Sequence, residues 1–197
     1  DTPKQEVKTT QSQTAPQQPV KAPDEPSKPT VNWASSEVTE TNIRAVLETK
    51  PSVDPVLKES DLPKIITKID IEDVPAKPGQ KNVVINYKPK SVWDETTFVE
   101  NVGGTTIICA SQLFSNPKIE NVTCYAQTDM TDQYGKTASQ SVVKITLNRD
   151  LVSKVDWKGL SERHVTDPGN IYRIASYKYI HPGILKAVKK DKIKLLT

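Results

Sequence analysis

The feature that most limits what this chain can fold into is a break in composition near residue 36. Residues 1–36 consist mainly of Pro, Gln, Thr, Ser, Lys and Glu, with no Gly, no Cys and a single aromatic, Trp33. Four Lys balance four acids there, Asp1, Glu6, Asp24 and Glu25. Such a segment carries too little apolar surface to offset the entropy of ordering it. Its prolines favour extended polyproline geometry, so it reads as a disordered, semi-rigid stalk. Bare P-x-x-P matches such as Pro16–Pro19 and Pro23–Pro26 are weaker signals than this spacer reading. Twelve of the fifteen prolines precede residue 90, which leaves residues 60–185 to supply one modest core. The expected division is a stalk over 1–36 and a single α+β domain over 37–197.

The net charge of +3 is close to neutral for 197 residues and gives no electrostatic reason to expect nucleic acid. No run of about 20 apolar residues is present to span a bilayer. The chain opens at Asp1 rather than Met. A stalk left after removal of a targeting segment or lipid anchor fits that start, and an arbitrary cut in a longer chain is the alternative. Cys109 and Cys124 are too few for a disulfide scaffold or a structural zinc site. Both sit in apolar patterns and read as small buried hydrophobes, with a disulfide between them as the alternative.

Hydrophobic spacing supplies the elements. A short helix is expected over Glu37–Thr49, capped by Ser36 and stopped by Pro51 and Pro55. Residues 65–72 alternate, with Ile65, Thr67, Ile69 and Ile71 on one face, and residues 82–88 alternate with Val83, Ile85 and Tyr87 inward. Together they read as a hairpin across the turn at 74–80. Ser91 is expected to cap a long helix carrying Trp93, Phe98, Val102, Thr106, Cys109 and Leu113. Gly103–Gly104 would kink it or let it approach the sheet. A second hairpin follows, with Val122, Cys124 and Ala126 inward, a turn at Asp132–Lys136, and Val143, Ile145 and Leu147 inward. Asn148 is expected to cap a helix that ends at Trp157, and Asp167–Pro168 to open another that holds Tyr172, Tyr177 and Tyr179. His181–Pro182 interrupts before a last turn. The predicted fold is therefore a four-stranded antiparallel sheet from two hairpins, with one long helix packed on it in a cystatin-like arrangement, plus C-terminal helices.

The search for chemistry is nearly empty. The two histidines, His164 and His181, lie in an irregular region with Ser161, Glu162, Asp167 and Asp191, without a nucleophile elbow or metal-ligand spacing. Asp129 and Asp132 flank a turn, where Asp is expected, and lack calcium-loop spacing. Asn121-Val122-Thr123 is a glycosylation sequon inside a predicted strand. The lysine-rich stretch 186–194 reads as a solvated tail, with contact to anionic lipid, wall polymer or nucleic acid as alternatives. No catalytic residue, metal or cofactor is expected. The enzyme alternative is a small-substrate site near His164, Asp167 and His181.

Several short signatures recur in one order: Ser91-x-Trp93-x-Glu95, Leu113-Phe114, Asp132-x-Tyr134-Gly135 and Asn148-Arg149-Asp150 running to Trp157. With them, residues 37–160 resemble uncharacterised extracytoplasmic, lipoprotein-like domains of Gram-positive bacteria. That resemblance implies location more than activity. It leads to the expectation of a non-catalytic surface module, held peripheral to a membrane through a lost N-terminal anchor and binding a protein or cell-wall partner. A component of a secretion or conjugation assembly is the alternative.

Overall fold

The structure, a computed structural model, describes residues 32–49, 62–89 and 94–189. The chain divides between Thr30 and Val31 into two units, and every described residue belongs to the second. The described chain opens with α1 (Glu40–Leu47), the single turn α2 (Leu62–Ile65), β1 (Ile66–Asp73) and β2 (Lys81–Tyr87). The central helix α3 (Glu95–Leu113) leads to β3 (Ile119–Thr131) and β4 (Thr137–Asn148). After a 3-10 turn at Arg149–Leu151 come α4 (Trp157–His164), α5 (Asn170–Ile174), β5 (Tyr177–Ile180) and α6 (Pro182–Ala187).

The fold is α+β, but its sheet differs from the expected four antiparallel strands in two ways. It has five strands, in the order β1-β2-β3-β4-β5, and β2 pairs with β3 in parallel. Parallel neighbours need a crossover, and α3 is that crossover, returning the chain to the end of the sheet from which β2 started. The remaining pairs are antiparallel. The fifth strand runs through Tyr177 and Tyr179, which the sequence reading placed on a helix. Four residues are too few to show a period on their own, and pairing with residues 143–146 on the edge of β4 makes the strand.

The alternating runs place the core face of the sheet. Val83, Ile85, Tyr87, Val122, Cys124, Ala126, Val143, Ile145 and Leu147 are all buried, as the period-two pattern requires. In β1 the pattern misleads. An irregularity between Ile66 and Lys68 shifts the register. Ile69 is buried as expected, but Ile66 turns inward in place of Thr67, which is exposed, and Ile65 ends α2.

Helix α3 is capped by Asp94, whose Oδ1 accepts from the Thr97 amide at 2.8 Å. The expected cap Ser91 and the expected core residue Trp93 lie outside the described residues. The helix continues through Gly103–Gly104 and is buried on nearly every side. The sheet covers one flank, and α1, α4, α5 and α6 contact it elsewhere. That enclosure explains a helix built from Thr, Ile and Gly, since tertiary burial outweighs weak propensity. No described helix is long and apolar enough to cross a membrane.

The C-terminal end of α3 gathers Leu113, Phe114, Arg149 and Trp157, four of the residues that carried the resemblance. The Arg149 guanidinium donates to the carbonyls of Ile119, Asn116 and Phe114, and its centre lies 5.5 Å from the Phe114 ring. Phe114 in turn stacks on Trp157 at 6.1 Å. A guanidinium with five donors suits carbonyls left open where a helix ends. Burial lowers its pKa from the ordinary value, and Glu120 acts in the opposite direction.

Trp33, assigned to the stalk by composition, also belongs to this end of the fold. It is buried, and its Nε1 donates to the Leu113 carbonyl at 3.0 Å. Asn116 Nδ2 donates to the carbonyls of Trp33 and Ser36. The packed unit therefore reaches at least to residue 32, not 37. Residues 1–31 lie outside the described residues.

The shorter helices are displaced from their expected limits. Thr39 rather than Ser36 caps α1, because Ser36 Oγ is turned back onto the Asn32 carbonyl. Trp157 begins a helix instead of ending one, since Asp156 accepts from the Lys158 amide as an N-cap. Gly169, not Asp167, precedes α5. Pro182 occupies the first turn of α6 rather than breaking it.

Candidate binding surface

His164 is buried, with its ring against Gly103 of α3. Its Nε2 lies 2.9 Å from the Glu100 carbonyl, and its Nδ1 lies 3.4 Å from Asn170 Oδ1. A carbonyl can only accept, so Nε2 carries the hydrogen and donates. Asn170 continues the chain of contacts by donating to the Leu160 carbonyl at 3.1 Å. This arrangement ties α4 and α5 to α3.

Asp167 is engaged by the Arg173 guanidinium. His181 caps α6 by accepting from the Gly183 amide at 3.1 Å. No hydrogen bond joins any two of His164, Asp167 and His181, so the proton relay that acid–base chemistry needs is not formed among them. Ser161 Oγ is buried without a hydrogen-bond partner, and Glu162 lies 3.9 Å from Lys158 across one helical turn. Asp191 lies outside the described residues. Among the described residues no group of three or more His, Cys, Asp or Glu could hold a metal ion.

The sheet offers a different kind of surface on the face away from α3. Strand register sets its residues in rows. One row runs Lys68, Asn86, Tyr125, Lys144, Tyr179, and the next runs Asp70, Val84, Thr123, Thr146, Tyr177. Neighbours within a row are about 5 Å apart, one strand spacing. Tyr177 and Tyr179 are 51% and 39% exposed, among the most exposed large hydrophobic side chains described. Tyr125 and Lys144, on the neighbouring strands β3 and β4, are half-buried.

Lys144 organises the aromatic end of this face. Its Nζ lies 4.8 Å from the Tyr125 ring centroid and 4.9 Å from that of Tyr177. Each such contact contributes about 0.5–1 kcal/mol at an exposed site and fixes the orientation of the rings. The rest of the face is polar and internally bonded. Thr123 and Thr146 hydroxyls lie 2.9 Å apart, and Asn86 Nδ2 donates to Asp70, which also pairs with Lys68. The sequon residue Asn121 donates to Asn82 Oδ1 at 2.7 Å.

This constellation has rings, an ammonium, amides and hydroxyls, but no base set against a nucleophile. The sequence reading had Tyr125 outward and missed the grouping with Tyr177 and Tyr179. The spacing of Tyr177 and Tyr179 two apart, with Lys178 between, fits strand alternation but is too short to establish it. No family model, curated protein or solved structure matched the chain when it was compared with each.

Proposed function

We propose that this chain is a non-catalytic, extracytoplasmic surface module that binds a cell-wall or protein partner through the tyrosine-lined face of its sheet. The observation that carries the reading is the cluster of Tyr125, Tyr177 and Tyr179 around Lys144 on the sheet face opposite α3. Tyrosine supplies large, amphipathic contact area with little conformational freedom to lose, which is why it is enriched where proteins bind. A flat sheet face suits an extended partner, whereas a small substrate is normally enclosed in a cleft. Only the layering of a cystatin-like architecture, a long helix on one face of a sheet, is needed for this role. The extracytoplasmic placement draws its support from the Pro-, Gln- and Thr-rich composition of residues 1–36.

The test is cosedimentation with purified Gram-positive cell walls, native and stripped of protein. The unmodified chain is expected to sediment with native walls, and Tyr177→Ala with Tyr179→Ala to stay in solution at an unchanged melting temperature. Retention on stripped walls assigns the partner to the wall polymer, and its loss there assigns a wall protein. Failure of the unmodified chain to sediment with native walls refutes the reading. Equal sedimentation of the double variant refutes the surface.

A further inference from the structure

The sheet face away from α3 changes character along its strands. At one end stand the exposed Tyr177 and Tyr179, with Lys144 Nζ between the rings of Tyr125 and Tyr177. Register sets Thr146 level with Tyr177. Two residues further along β4 lies Asn148, level with Asn121 on β3 and, through it, with Asn82 on β2. The row of Lys144 and the row of Asn148 are roughly 13 Å apart at the rise of a strand. Asn121 Nδ2 donates to Asn82 Oδ1 at 2.7 Å. Among the described residues no other hydrogen bond engages Asn82 Nδ2 or Asn121 Oδ1, and the Asn148 side chain makes no cap hydrogen bond. All three asparagines are half-buried, so water reaches them. The row therefore sets open amide donors beside open acceptors.

We propose that this face binds an uncharged, hydroxyl-bearing polysaccharide strand, with sugar rings lying on Tyr177 and Tyr179 and hydroxyls meeting the asparagine row. The inference rests on the tyrosine-lined face being the binding surface, and it names the class of polymer held there. A pyranose ring presents C–H bonds on its faces and hydroxyls around its edge. The faces of tyrosine rings match the first. A donor beside an acceptor matches the second, because a hydroxyl both donates and accepts. The stripe from Tyr179 through Tyr177 to Asn148 follows β4 and β5, so an extended strand of several sugars lies along it without a cleft.

Charge complementarity selects the uncharged polymer. Glu72 is level with Asn82, and Asp70 with Val84 in the next row. The three rows from Glu72 to Tyr179 thus set Lys68 and Lys144 against Asp70 and Glu72, and their charges cancel. Lys68 is already held by Asp70, at 2.6 Å. Lys144 is left as a single ammonium between two rings, whereas a polyanion is drawn by a surface of one sign. A protein interface has an apolar centre. Val84 is the one aliphatic side chain in these rows, and it is half-buried.

The experiment titrates the full chain with the hexasaccharide of N-acetylglucosamine, with cellohexaose and with polyglycerol phosphate, at low salt and at molar salt, by calorimetry. At least one of the two uncharged hexasaccharides is expected to bind, with an affinity that salt leaves unchanged, and polyglycerol phosphate is expected not to bind. Tyr177→Ala with Tyr179→Ala should remove the binding. Asn148→Ala should weaken it roughly two- to tenfold, the loss of one hydrogen bond. Both variants should keep the melting temperature of the unmodified chain. Absence of binding by both hexasaccharides, salt-sensitive binding of polyglycerol phosphate, or equal binding by the two variants overturns the proposal. Retention on native walls through Tyr177 and Tyr179 without hexasaccharide binding overturns the polysaccharide and leaves the surface standing. Loss of both retention and hexasaccharide binding overturns the two together.

Discussion

Gly103 is where α3 makes room for His164. A Cβ built there would lie 2.7 Å from His164 Cε1 and 2.9 Å from Ile171 Cγ2. The ring cannot simply swing aside, because it is held to the Glu100 carbonyl. Gly103→Ala should therefore destabilise by about 1–2 kcal/mol, the overpacking cost exceeding the roughly 1 kcal/mol gain in helix propensity. Chemical denaturation of the two proteins measures the difference, and a gain in stability would show that α4 yields freely. Arg149→Met should cost about 1.5–3 kcal/mol, because carbonyls at the end of α3 lose a charged donor while the side-chain volume is kept. Tyr172 carries a prediction about pH. Burial, followed by the charge of Glu100, raises its phenol well above the usual 10.0, and burial acts likewise on Tyr87. Below about pH 10 both folded and unfolded chains keep these protons and stability is complete. Above it the unfolded chain ionises first, so stability is lost as the pH climbs towards the folded-state values. Tyr172→Phe removes the hydrogen bond to the Val99 carbonyl and should melt lower at neutral pH. Its decline above pH 10 should be shallower than that of the unmodified chain. Parallel curves would show that Tyr172 does not titrate in this range.

At the scale of elements, the N-terminal end of the packed unit turns on one tryptophan. Trp33 links the segment before α1 to the C-terminal end of α3, through its indole bond to the Leu113 carbonyl and through its own carbonyl, which accepts from the Asn116 side-chain amide. A chain starting at Glu37 should melt well below one starting at Asn32. Trp33→Ala should reproduce most of that loss, about 3–5 kcal/mol for a buried aromatic. Equal melting temperatures for the two truncated chains would show that this segment is packed but not stabilising. The strands differ in how far their sequences foretold them. Alternation in β2, β3 and β4 was long enough to identify both the element and its buried face. In β5 it was too short, and in β1 an irregularity at Ile66 put that residue inward in place of Thr67 while leaving Ile69 buried as its alternation requires.

For the molecule as a whole, α3 is the shared wall of two contacts, one with the sheet and one with the surrounding helices. Neither layer can lose it and keep its apolar face covered. Thermal unfolding of the described unit should therefore be a single transition, with far-ultraviolet and near-ultraviolet circular dichroism superimposing. A separate early near-ultraviolet step would show the outer helices leaving before the sheet.

The sequence alone determined the class of fold and the faces of its longest elements, because hydrophobic periodicity is a local property that any window of about ten residues displays. Only the tertiary structure decided the parallel pairing of β2 with β3, the existence of β5, the role of Trp33 and the direction in which Gly103 faces. Each of these depends on residues far apart in the chain. Trp33 meets Leu113 across 80 positions and His164 meets Glu100 across 64. A polar, Pro-rich composition describes the average of a segment, whereas one buried ring decides where the folded unit begins. The tyrosine face arises for the same reason. Tyr125, Lys144 and Tyr177 become neighbours only when three strands align in register, and register is set by the burial of the opposite face.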